Sequence, residues 1–139
     1  MIDGDDECLK RPTGRSIGPE LVAQTRTITP HIPLAVVVAN REYEAWFLAD
    51  FHSLRDRKLL PAHARLARDI YVHPEVPRDC KGLIAGLLGC SYEERVHQHQ
   101  LTNGMTLSPR VIARSPSYGK LLRDLERLTH QARRRLRSR

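Results

Sequence analysis

The sequence predicts an α/β fold: a small, incomplete parallel sheet followed by a helix-rich C-terminal half. Three observations predict it. Leu34 to Ala39 is apolar throughout, with three consecutive β-branched valines, as a central parallel strand covered on both faces should be. The polar corner Asn40-Arg41-Glu42 follows and runs into an aromatic-aliphatic helix pattern. That order matches an α/β unit with its ligand at the strand's carboxyl end. Beyond Asp50, helical spacing recurs almost to the last residue, and only Ile70-Tyr71-Val72 reads as a further extended piece.

In chain order, Met1-Ile2 reads as the end of a strand entering the acidic loop Asp3-Gly4-Asp5-Asp6-Glu7. Lys10 to Gly18 is a loop broken by Pro12, Gly14 and Gly18. Pro19 to Thr27 suits a helix, and the prolines at 30 and 33 bound a turn. Asn40 is a candidate N-cap for the helix carrying Tyr43, Trp46 and Phe47, which recur at helical spacing and should face the core. Asp50 to Leu60 and Leu59 to Ala67 read as two weaker helices. Arg78 to Leu88 is helical, with Gly89 as its stop. Ser91 to Gln100 suits a helix if Ser91 caps it, and Thr106 or Ser108 can cap a short one through Ala113. Ser115-Pro116 is a cap followed by proline at the first helical position, opening a long helix with Leu121, Leu122, Leu125 and Leu128 on one side.

The 139 residues suit one domain, 1–139, with a basic terminal helix over 115–139. Net charge is +7, and it is uneven: Gln131 to Arg139 holds five arginines and no acid, whereas the first seven residues hold four acids and no base. A basic tail, with Arg133, Arg134 and Arg135 at its centre, suits a phosphate-rich partner such as nucleic acid. Arginine also suits the negative end of a helix dipole. Three cysteines without a framework spacing argue against a secreted disulfide scaffold, and no signal region or membrane span is visible. A cytoplasmic protein is expected.

Two acidic corners are the candidates for chemistry. Asp3 and Asp5 form a D-x-D whose hard oxygens suit Mg²⁺ or Mn²⁺. Loops after adjacent parallel strands open on one edge, so Asp3, Asp5 and Glu42 are expected to converge on one cation as catalytic and metal-binding residues. Glu44 lies about 200° around a helix from Glu42 and cannot share that site; it remains a possible support. Around Pro77, Arg78 and Lys81 could hold a phosphate, with Asp79 or Glu75 on a metal or orienting them. The alternative there is a helix first turn with exposed ion pairs. Zinc at Cys80, Cys90, His97 and His99 fits no usual spacing, and no P-loop sequence is present.

The stretch Val36 to Asp50, VVVANREYEAWFLAD, resembles the central motif of a bacterial family of uncharacterised proteins with an E-x-W-F-L-A-D pattern, often encoded beside an ABC-type ATPase. DGDDE, Pro74 to Gly82 (PEVPRDCKG) and Ser115 to Leu128 (SPSYGKLLRDLERL) resemble its other segments in the same order. That family is similar to the toprim (topoisomerase–primase) fold, a small Rossmann-like domain binding Mg²⁺ through a glutamate and a D-x-D. The resemblance implies a Mg-dependent, nucleic-acid-cleaving component of a bacterial defence or DNA-processing system. The toprim glutamate stands upstream of the D-x-D, so a shortened member with impaired cleavage is expected. A non-catalytic partner of the ATPase and a plain nucleic-acid-binding protein are the competing readings.

Overall fold

A computed structural model of the chain describes residues 2–4 and 17–137. Asp5, Cys8 and most of the loop from Lys10 to Gly18 lie outside the described residues. In order, the elements are β1 (Ile2–Asp3), α1 (Ile17–Ile28), β2 (Val38–Ala39), α2 (Ala45–Ala49), α3 (Phe51–Asp56), α4 (Arg68–Val72) and α5 (Cys80–Leu88). A π-helical turn (Glu94–Gln98), α6 (His99–Gly104), α7 (Pro109–Arg114) and α8 (Pro116–Arg137) complete them.

The expected α/β architecture, an incomplete Rossmann-like parallel sheet, is overturned: the described chain is mainly helical. Only a two-residue parallel pairing joins β1 to β2, with Ile2 beside Val38 and Asp3 beside Ala39. The apolar run from Leu34 to Val37 forms no strand, and the reason lies in its carbonyls. Lys120 Nζ donates to the Val36 oxygen at 2.9 Å, Arg127 Nη2 to the Leu34 oxygen at 3.3 Å and Arg135 Nη1 to the His31 oxygen at 2.6 Å. Long cationic side chains from α8 thus supply donors that a neighbouring strand would have supplied. Ile70 to Val72 is likewise not extended but lies in α4. There the Tyr71 and His73 amides bond back to the Ala67 and Asp69 carbonyls, both at 2.9 Å.

The core is organised on α2. All five of its residues are buried, so it is apolar on every side, as a helix enclosed by others must be. Phe47 and Leu48 join Phe51, Leu54, Ile84 and Leu101 in one apolar cluster. Trp46 and Ala49 join Val37, Ala39, Val111 and Tyr118 in a second. The anticipated helix from Asn40 starts later, because Arg41 takes a left-handed backbone (φ 66°) and breaks the chain direction there. Farther along, Gly89 ends α5 with φ 74°, a conformation available to glycine without a Cβ clash.

The periphery is packed differently. Helix α1 buries no residue, and Ile28, Ile32, Leu125 and Leu136 are exposed. No helix among the described residues is long and apolar enough to cross a membrane.

Candidate functional site

Of the acidic side chains singled out from the sequence, Glu42, Glu44, Glu75 and Asp79 are described, and each is held by hydrogen bonds of the fold. Glu42 accepts from the Cys80 and Lys81 amides, each at 3.1 Å, one on each oxygen. Asp79 Oδ1 accepts from the Gly82 amide at 2.8 Å. Together they satisfy the first three amides of α5, which have no partner within the helix, and their charge suits its positive end.

Glu75 does the same for α8 and is only 8% exposed. Its Oε1 accepts from Ser115 Oγ at 2.5 Å, Ser117 Oγ at 2.6 Å and the Ser117 amide at 3.1 Å. Its Oε2 accepts from Asn40 Nδ2 at 3.4 Å. Ser117 Oγ in turn accepts from the Trp46 indole at 2.7 Å. The expected cap residue Asn40 is therefore used against Glu75. Asp50, at the α2–α3 junction, accepts from the Thr106 amide at 2.5 Å and its hydroxyl at 3.1 Å.

Glu44 points elsewhere, accepting from the Tyr92 hydroxyl at 2.9 Å. Burial, reinforced by the Glu44 charge and hydrogen bond, pushes the Tyr92 hydroxyl pKa well up. Cys80 is buried beside the same acids, and burial first, then Glu42, Glu44 and Asp79, push its thiol up to about 12. It stays a neutral, small apolar group at the α5 start.

This geometry bears on the Mg²⁺ expectation. The β1–β2 register does bring the backbone of Asp3 beside Ala39, and the Gly4 amide donates to the Ala39 oxygen at 2.9 Å. Glu42, however, turns both oxygens onto positively polarised amides of α5, a donor set that does not fit a cation ligand. Among the described residues no three His, Cys, Asp or Glu side chains gather as a metal site. Asp5 lies outside the described residues. For zinc, His97 Nδ1 accepts from the Glu93 amide at 2.9 Å, a contact within its own turn.

The expected phosphate-binding residues divide. Arg78 is exposed, whereas Lys81 pairs with Glu94 at 2.6 Å. Arg135 is held on the His31 carbonyl, while Arg133 and Arg134 project into solvent. At about 100° per residue, Arg123, His130, Arg133, Arg134 and Arg137 fall within one arc of about 100° on α8. All five are exposed. Lys120, Arg127 and Arg135 lie to one side of that arc and reach the chain at 31–36.

Two arrangements were not visible from the sequence: the Ser115–Ser117–Trp46 relay around Glu75 and the cations that hold His31 to Val36. Ser115-Pro116 signals a cap but says nothing of which acid meets it. The spacing of Lys120, Arg127 and Arg135, seven and eight residues apart, was the signal that one face of α8 grips something. Comparison with protein-family models, with curated proteins and with solved structures gave no match.

Proposed function

We propose that this chain is a cytoplasmic nucleic-acid-binding protein that holds a phosphate backbone along the outer arc of α8. The observation that carries the reading is the division of the α8 cations. Three are occupied on carbonyls, whereas the outer arc presents Arg123, Arg133, Arg134 and Arg137 to solvent. Lysine and arginine along one face release condensed counterions when they replace them at phosphates. The helix carries seven Lys/Arg against Asp124 and Glu126, so the field along it is positive.

The test is binding of a labelled oligonucleotide followed by anisotropy across a salt series. Joint replacement Arg133→Ala, Arg134→Ala and Arg137→Ala should weaken binding at least tenfold. It should also lower the slope of log K against log salt by about 2–3. Unchanged affinity and slope would remove the proposal.

A Mg-dependent cleavage activity follows from the toprim resemblance alone, and it rests on Asp3 and Asp5 rather than on Glu42. Of the acidic loop, only the backbone of Asp3 and Gly4 is described, and it lies beside Ala39. Asp3→Ala with Asp5→Ala should abolish Mg²⁺-dependent cleavage while leaving salt-sensitive binding intact; cleavage that survives both changes contradicts it. The ABC-type ATPase partnership is also drawn from the resemblance, and co-purification with such an ATPase would test it.

A further inference from the structure

The most unusual polar group among the described residues lies away from both corners. Arg114, the last residue of α7, donates through Nη2 to the Ala49 carbonyl and stacks its guanidinium 4.0 Å from the centre of the Tyr71 ring. Its Nε is buried and has no hydrogen-bond partner among the described residues. A buried guanidinium N–H without an acceptor is costly, so Arg114 is held in place at some expense to stability. Arg114 lines a cleft of about 530 Å³ between α3, α4 and α7.

The other groups on that cleft are mainly donors. Arg110 precedes Arg114 by four residues and shares its face of α7. His52, on α3, lies with its ring centre 4.8 Å from Tyr71. Arg55 Nη2 approaches His52 Nδ1 at 3.4 Å. Because arginine only donates, Nδ1 is the acceptor and the ring proton sits on Nε2. Burial, then the Arg55 and Arg114 charges, hold His52 below the ordinary imidazole pKa, opposed by Asp56, so the neutral ring predominates. Ser53 and Ser108 add hydroxyls. Of the two acids lining the cleft, Asp50 is occupied by Thr106, and Asp56 stands at the exposed end of α3.

The geometry points to this cleft as a binding site for a phosphate monoester, with Arg114 and Arg110 as its cationic clamp and His52 as a donor. The planar guanidinium fork matches phosphate oxygens. The volume admits a small phosphorylated molecule rather than a bare ion alone. The site is separate from the α8 arc and does not rest on the nucleic-acid reading.

The experiment follows the His52 imidazole by NMR in the full chain during titrations with inorganic phosphate, AMP and adenosine. Phosphate and AMP should move its resonances saturably and raise its pKa, because a bound anion favours the imidazolium; adenosine should not. AMP binding more tightly than phosphate would locate the recognition in a phosphorylated small molecule, and equal binding would locate it in the phosphate group itself. Arg114→Lys should weaken AMP about tenfold. Arg110→Ala, at an exposed position, should weaken it several-fold with melting unchanged, which covers failure of the Arg114 variant to fold. The Arg133→Ala, Arg134→Ala and Arg137→Ala protein should bind AMP as the parent does. No saturable shift into the millimolar range, or identical shifts in the Arg110 variant, would overturn the site.

Discussion

The body around α2 and the arm formed by α1, residues 29–36 and α8 beyond its first turn satisfy their backbones with opposite charges. In the body, buried carboxylates accept from amides and hydroxyls: Glu42 at α5, Glu75 at α8, Asp50 at Thr106. In the arm, exposed cations donate to carbonyls at Val36, Leu34 and His31. The chemistry is parallel, but the surroundings differ. Hydrogen bonds to charged groups gain strength where water is excluded, and a group left without its partner there is heavily penalised. On the surface the same contacts are screened and exchange with water. The body acids are therefore fixed struts, whereas the arm cations hold their carbonyls through contacts that water and salt weaken. The motif Glu44 to Asp50 reads accordingly as the centre of a clamp: its flanking acids hold α5, the Thr106 turn and Tyr92 around a helix that is buried on all sides.

The largest effect should come from Glu75. Replacing it by Ala strips the Ser115 and Ser117 hydroxyls and the Ser117 amide of their common acceptor inside the body. A loss of about 3–5 kcal/mol is expected by chemical denaturation, with Glu75→Gln retaining part of it. A loss no larger than that of a surface substitution would show that burial does not separate the two regions.

How much of this was legible in the sequence depends on whether the signal was local. The Ser115-Pro116 start, the Ser108 cap and the Gly89 stop are local, and each stands in the structure: Ser108 Oγ accepts from the Val111 amide at 3.3 Å, and Gly89 adopts the left-handed cap. The run from Leu34 to Ala39 misled because strand propensity describes side chains, whereas a strand also needs a neighbour for its carbonyls. Here α8 provides side-chain donors instead. The carboxylates misled in the same way. Glu42 and Glu75 have the residue type of a ligand set, but their partners lie 38–39 and 35–42 residues away, a pairing that spacing along the chain does not encode. Glu42 and Glu44 do meet different elements, but not through 200° of helix, since both precede α2, which begins at Ala45.

A smaller effect is expected at Glu42, which caps α5 jointly with Asp79. Glu42→Gln keeps the shape but loses the charge on the Cys80 and Lys81 amides, a change expected to cost about 1–2 kcal/mol. Thiol labelling gives a local readout. In the parent protein, exposed Cys90 should react with a maleimide near neutral pH, while Cys80, buried and with its thiol pushed up to about 12, should not. In the Glu42 variant Cys80 should begin to react as the start of α5 frays. Protection equal to the parent's would mean that packing alone holds that helix end.

The smallest effect belongs to the arm, and it tests the other side of the contrast. Asp124 on α8 bonds Lys120 at 2.5 Å and Arg127 at 3.2 Å. The Lys120 hydrogen bond is the main force lowering its pKa below the ordinary 3.8; the Arg127 bond adds to this, and partial burial opposes it. A depressed carboxyl pKa contributes stability that is present above the ordinary value and lost as pH falls through the lowered one. Because both cations are more than a third exposed, screening limits this contribution to about 0.3–0.5 kcal/mol. Denaturation of the parent and of Asp124→Asn should therefore differ by that amount at pH 6 and converge as pH falls through the lowered Asp124 pKa. The difference should also shrink with added salt, whereas that for Glu75→Ala should not. A salt-independent loss at Asp124 as large as that at Glu75 would place the arm in the same class as the body.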